Sequence, residues 1–258
     1  MAPVSLWAAG YQKQGRCITL SLPAKPKQAK TVRLTIVSDN IIRVEATPED
    51  AIPQKRKSLV VVNREGKYTA DVKEDDRMVT VETAAIIAKV EKQTGKLTFI
   101  DKTTGKVLLQ EADGSKTFTK YVSNQTELPE NYRPTSPDEV NWGKKTDLYK
   151  LSLEDRSGYS WHALFESDAD EAFYGLGQHQ SEEMNYKGRN EELFQYNTKV
   201  AIPFVVSNKN YGILWDSYSY GRWVILTTIS SFIVPSSSTT RTVVRARSLV
   251  HIPKRAAR

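Results

Sequence analysis

The strongest constraint on this chain is a rhythm of short strands. Between Cys17 and Val122, β-branched and other apolar residues alternate with polar ones in CITLSL, TVRLTIV, IIRVEAT, LVVV, MVTVET, AIIAKV, KLTFI and KVLLQ. The runs recur at intervals of about ten residues. A period of two puts successive side chains on opposite faces, so each run can bury one face and wet the other. The pattern predicts an all-β fold, an antiparallel β-sandwich. Apart from a weak candidate at Ser181–Tyr186, no segment longer than about ten residues carries a helical period, whereas roughly a third of an average domain is helical.

The turns agree. Asp39-Asn40 separates two strand runs, and Arg64-Glu65-Gly66-Lys67 another pair. Lys92-Gln93-Thr94-Gly95-Lys96 and Asp101-Lys102-Thr103-Thr104-Gly105-Lys106 each place a glycine where a hairpin needs positive φ. The stretch AIIAKVEKQTGKLTFIDKTTGKVLLQE therefore reads as a three-stranded meander. Residues 125–145 contain Pro129, Pro134 and Pro137 and read as a long surface loop. Strand character resumes in LYKLSLE (Leu148–Glu154) and WHALFES (Trp161–Ser167).

A chain of 258 residues with 39% apolar residues can bury a substantial core. Its net charge of +7 suggests an acidic partner until the distribution is read. Residues 224–258 hold Arg241, Arg245, Arg247, Lys254, Arg255 and Arg258 and no acid; without those six the body has 31 basic against 30 acidic residues. The body thus carries no nucleic-acid signature. Cys17 is the only cysteine, which excludes an intrachain disulfide and a thiolate cluster. His162, His179 and His251 are scattered, so neither a structural metal nor a cofactor is expected. No apolar run is long enough for a membrane span. Residues 1–9, apolar and rich in small residues but lacking a basic start, read either as a plain exposed terminus or as the last part of a secretory signal. The second reading would make the parent protein periplasmic or secreted.

From Glu171 to Trp223 the character changes: EAFYGLGQHQSEEMNYKGRNEELFQYNTKVAIPFVVSNKNYGILWDSYSYGRW. Tyr174-Gly175-Leu176-Gly177 reads as a strand ending in a flexible turn, but a third glycine and a following helix are missing, which argues against dinucleotide binding. The residues after it, Gln178, His179, Gln180, Asn185, Tyr186, Arg189, Asn190, Gln195, Tyr196 and Asn197, are amides, cations and aromatic faces. These are the groups that bind sugar hydroxyls and stack on pyranose rings. An ordinary loop with tyrosines at the core's edge fits the same composition. IPFVVSN and YGILWDS read as a hairpin turning at Lys209-Asn210.

FYGLGQHQ, followed by IPFVVSNKNYGILWDSYS and preceded by the strand containing TGKLTFID, closely resembles the N-terminal β-sandwich of glycoside hydrolase family 31, the α-glucosidase and α-xylosidase family. The resemblance covers most of residues 10–223 and implies a galactose-mutarotase-like sandwich. Where the family typically reads YGLGE, this chain has Gln178; that departure and the His179-Gln180 pair are more similar to bacterial α-xylosidases acting on xyloglucan fragments. The resemblance implies a retaining glycosidase with one aspartate attacking the anomeric carbon and another supplying the proton, the carboxyls about 5–5.5 Å apart. In the family both lie on a (β/α)8 barrel of roughly 250 residues that follows the sandwich. Only 35 residues follow Trp223 here, so the catalytic barrel is absent from this chain and would be the sandwich's packing partner. No catalytic residue is expected, and Asp216 matches a structural position. A loop of the family's sandwich reaches over the barrel mouth; Gln178, His179 and Arg189 match it and are the candidates for a supporting role in substrate binding.

Residues 224–258, VILTTISSFIVPSSSTTRTVVRARSLVHIPKRAAR, hold eleven Ser or Thr and do not continue the family's pattern. If one G was lost after the Trp223 codon, codons for the first thirteen of these residues regroup to Gly-Asp-Pro-Asn-Asp-Tyr-Leu-Gln-Phe-Tyr-Arg-Ala-Phe. The tail is therefore expected to be frameshifted and disordered; a genuine basic tail for an anionic partner is the rival. The expected organisation is an N-terminal segment over 1–9, the sandwich over 10–223 and the tail over 224–258. Its expected role is the non-catalytic part of an α-xylosidase or α-glucosidase acting on oligosaccharides, with a stand-alone carbohydrate-binding or interaction module as the alternative.

Overall fold

A computed structural model describes residues 10–52, 58, 60–61, 66, 68–121, 158–180, 183–216, 221–225, 229–234 and 246–251. They form eighteen strands, numbered in chain order, with no helix among the described residues. One sheet has eight strands: β1 (Tyr11–Gln14), β2 (Cys17–Ser21), β3 (Thr31–Ser38), β4 (Ile41–Thr47), β18 (Ala246–His251), β15 (Tyr211–Trp215), β14 (Val200–Ser207) and β12 (Phe173–Gln178), in that spatial order. A second has β10 (Thr117–Tyr121), β11 (Gly158–Glu166), β17 (Ile229–Val234), β16 (Gly221–Ile225) and β13 (Asn190–Leu193). The third runs in sequence order: β5 (Asp71–Glu74), β6 (Met78–Glu82), β7 (Ile86–Glu91), β8 (Leu97–Asp101) and β9 (Val107–Gln110). Each of these strand pairings is antiparallel, as the alternating pattern predicts.

The first two sheets pack through aromatic rings. Trp161 of β11 stacks on Trp215 of β15 with centroids 4.8 Å apart, and Phe173 of β12 meets Trp223 of β16 edge-on at 5.9 Å. The third sheet feeds the same core: Val79, Val81, Ile86, Ala88, Leu97 and Phe99 are buried in one cluster with Ile18, Leu20, Val32 and Leu34. Its meander turns on Gly95 and Gly105, both at φ 70°. The Lys209-Asn210 hairpin joins β14 to β15, with Asn210 at φ 64°.

Strand β4 is buried on nearly every residue, which a strict alternation does not predict. The reason is charge pairing on its outward positions. Glu45 Oε2 accepts two hydrogen bonds from Arg33, at 2.9 and 2.7 Å, and the Arg43 guanidinium donates to Asp216. Ser58 Oγ also donates to Asp216, at 2.9 Å. Asp216 is thus fixed in a buried ion pair.

Several sequence readings shift. The Gly-x-Gly segment lies inside β12, where the ladder to β14 slips register between Gly175 and Gly177. Glu183–Tyr186 are not helical, and Ser181 and Glu182 lie outside the described residues. So do LYKLSLE, the 125–145 loop, residues 1–9, and Leu59 and Val62 of LVVV, whose Val60 and Val61 are not in a strand. In the tail, expected to be disordered, two backbone segments take ladder positions: β17 between β11 and β16, and β18 between β15 and β4. Each offers a short β-prone run, SSFIV and SLVH, to a place where two strands would otherwise present open edges. Val224 and Ile225 end β16, and the other tail residues lie outside the described residues.

Candidate functional site

The local geometry starts from three successive residues with positive φ: Gly175 at 117°, Leu176 at 63° and Gly177 at 104°. Only glycine takes the outer two values readily. Space points the same way: a Cβ on Gly177 would lie 2.0 Å from the Val200 carbonyl oxygen, and one on Gly175 would lie 2.6 Å from that of Phe204. The glycines let β12 press against β14 while its backbone bulges. The bulge turns Leu176 into the core, at 1% exposure, and leaves Tyr174 and Gln178 outside.

The three candidates end in different surroundings. Gln178 is exposed, the last residue of β12, paired with Val200. The His179 side chain is only 2% exposed. Its Nε2–H donates to the Leu176 carbonyl at 2.7 Å, and its ring meets Tyr186 edge-on at 5.9 Å. Nδ1 lies 2.9 Å from Glu191 Oε1 but off the line of a directed hydrogen bond. Lys199 donates to the same Glu191 oxygen. Arg189 is exposed and ion-paired with Glu183. The structure thus sets Gln178 and His179 side by side on opposite sides of the backbone, with Arg189 engaged separately. Glu191 and Lys199 carry no motif, and only the fold brings them to His179.

Around Gln178 the outer face is apolar. Tyr174 pairs with Val206 across the ladder, and both are exposed together with Val200 and Ile202. Phe194 and Tyr196, also exposed, lie ring to ring at 6.1 Å. Beneath the bulge, Leu176, Leu193, Val205, Ile213, Trp215 and Trp223 enclose a void of about 10 Å³, room for a water at most. A cleft of about 330 Å³ lies elsewhere, lined by Lys25, Gln28, Glu91, Thr94, Lys96 and Asp113 among others. Several of its polar groups bind one another, Lys96 to Asp113 at 2.9 Å and the Thr94 hydroxyl to Glu91 at 2.6 Å.

The carboxyls with resolved shifts all move down: Asp75 through hydrogen bonds from backbone amides, Glu82 through Lys73, and Asp168 through Lys209. No three His, Cys, Asp or Glu side chains among the described residues converge as metal ligands. No helix among them is long and apolar enough to cross a membrane.

Residues 31–223 match the family model described as the glycosyl hydrolase 31 N-terminal galactose mutarotase-like domain. An alpha-xylosidase of Saccharolobus solfataricus is 43% identical over 77 residues, 26% of this chain and 10% of its own length. A family 31 glucosidase, ORF2, of Pseudescherichia vulneris, itself uncharacterized, is 26% identical over 195 residues, 76% of this chain and 34% of its own. The crystal structure of a GH31 alpha-xylosidase from Xanthomonas citri superposes with a TM-score of 0.64 at 32% identity, covering 82% of this chain and 19% of that one. A soil-metagenome alpha-xylosidase solved with xylose shares the fold at 19% identity and a TM-score of 0.64, over 95% of this chain and 32% of that one. The chain therefore matches about a third or less of the length of each.

Proposed function

Since the chain belongs to glycosyl hydrolase family 31, through its N-terminal galactose mutarotase-like domain, we propose that it is the non-catalytic sandwich of a retaining α-glycosidase. The parent enzyme removes terminal α-xylosyl or α-glucosyl residues from oligosaccharides, and this domain shapes the pocket instead of carrying the chemistry. The observation that carries the reading is the bulge in β12, which presents Gln178 on an exposed apolar face while the neighbouring acids Glu183 and Glu191 are held in ion pairs. One feature supports it: the relatives are far longer than the matched segment. The strip of Tyr174, Val200, Ile202 and Val206 is apolar enough to pack against the catalytic barrel that such a parent would carry.

The experiment is an assay of the pure 258-residue chain on 4-nitrophenyl α-D-xylopyranoside and α-D-glucopyranoside, with NMR titration by methyl α-D-xylopyranoside. The expected result is no turnover, with shifts confined to residues around Gln178. Sustained release of nitrophenol that scales with the chain across purification steps would sink the non-catalytic reading.

We also propose that residues 224–258 are read out of frame. The family match ends at Trp223, and the acid-free composition begins at Val224. The gene sequence decides it: codons that cannot regroup as Gly-Asp-Pro-Asn-Asp-Tyr exclude the shift.

A further inference from the structure

We propose that His179 is a positioning residue, a buried latch that fixes the direction of Gln178 without itself touching a ligand. Its side chain is 2% exposed, so in this conformation it offers nothing to a sugar. What it holds is specific. Leu176 has a β-facing core side chain yet a left-handed backbone, φ 63°, a conformation that disfavours a branched residue. The Leu176 carbonyl is turned out of the ladder where the register slips, and His179 Nε2–H caps it at 2.7 Å. A backbone acceptor left bare in that place would cost more than the hydrogen bond itself gains.

The other side of the ring packs against β13. Nδ1 faces Glu191 of β13 at 2.9 Å, and Lys199, next to the first residue of β14, binds the same carboxylate. Tyr186 closes the ring's flank. The imidazole thus sits between the bulge of β12, whose Leu176 carbonyl it caps, and the Glu191 carboxylate of β13, which Lys199 also binds. The importance of this latch for saccharide binding rests on the function proposed above; the latch itself does not.

The test uses the full 258-residue chain with H179A, H179Q, E191Q and H179A/E191Q, read by residue-resolved amide hydrogen exchange. In H179A the amides of Gly177 to His179 should exchange at least about tenfold faster, while those of Val205 and Ile213 keep their protection. H179Q, whose amide can still donate to the Leu176 carbonyl, should restore most of it. At Gly177 to residue 179, H179A/E191Q should match H179A, because the Leu176 cap belongs to His179 alone. Unchanged exchange at Gly177 to His179, or no rescue by H179Q, overturns the latch. Uniform acceleration across both sheets does so too, since it makes His179 an ordinary core side chain. If the latch behaves as expected but neither H179A nor Q178A changes the NMR titration with methyl α-D-xylopyranoside, the latch stands and the sugar-facing reading of Gln178 fails.

Discussion

Gly177 and Gly105 both have positive φ, 104° and 70°, but different neighbours, so adding one methyl group costs differently at each. A Cβ on Gly105 meets nothing within 4 Å, so Gly105→Ala should cost only the left-handed penalty of about 1–2 kcal/mol. On Gly177 the same atom would lie 2.0 Å from a backbone oxygen, so β14 must move as well and the loss should exceed that figure clearly. Urea unfolding of the two variants checks the order, and equal losses would mean that β14 yields freely. Tyr211 supplies a pH signature. Burial first, then the nearby Glu171 carboxylate, push its phenol well above its ordinary value of about 10. The unfolded chain therefore releases this proton at a pH where the folded chain still holds it. The stability is complete below about pH 10 and falls as the pH rises beyond it. Urea midpoints at pH 8 and pH 10.5 should diverge for the native chain and less so for Tyr211→Phe, which has no phenol to ionise.

At the level of elements, the ion pair of Glu111 and Lys116 links the sheets. Both are buried, Lys116 donates to Glu111, and Glu111 also accepts from the Leu97 amide at 2.9 Å. Glu111 forms a bridge with Phe165 of β11, so the third sheet is tied to the second at this point. Removing one partner strands the other charge in the core. Lys116→Met alone, which leaves the Glu111 carboxylate buried without its cation, should cost about 3–5 kcal/mol, whereas Glu111→Gln/Lys116→Met, which leaves no charge in the core, should cost less. Thermal unfolding of both variants tests this ordering.

What the sequence discloses depends on where a strand sits. The interior strands β3, β7, β8, β14 and β15 read directly, because burial on one or both faces imposes an apolar pattern. Strands β1, β5, β10 and β13 escape the reading, and each lies at the edge of its sheet. YQKQ, DVKE and NEEL have almost no apolar content, since an edge gains protection from charge. The site was legible in the same limited way. Gly-x-Gly announces an unusual backbone, but not that it is a bulge within a strand. His179 reads as a polar loop residue because its partners Glu191 and Lys199 come from strands whose pairing no local pattern encodes.

For the molecule as a whole, the last part of the chain lies within the sheets in backbone terms. Ending the chain at Trp223 would remove β17 and β18 and leave β11, β16, β15 and β4 each with an open edge. Such a truncated chain should associate through those edges, and light scattering at matched concentration should show larger particles than the full chain. A truncated chain that stays monomeric would mean that β17 and β18 add nothing to the sheets' protection. The exposed strip at Tyr174, Val200, Ile202 and Val206 is present in both chains and so cancels from the comparison.

The place of β18 beside β4 also sets a timetable. Ala46 pairs with Ala246 and Ile41 with His251, so a strand made early must wait for one made 200 residues later. At ordinary rates of synthesis that interval is on the order of 10–40 s. Throughout it β4 has β3 on one side and nothing on the other, exposed to any other strand that reaches it first. The third sheet, built wholly from neighbouring hairpins, has no such delay and can form as it is made. A newborn chain is therefore ordered first in its meander and last along the seam between β4 and β15, where a chaperone would find it open.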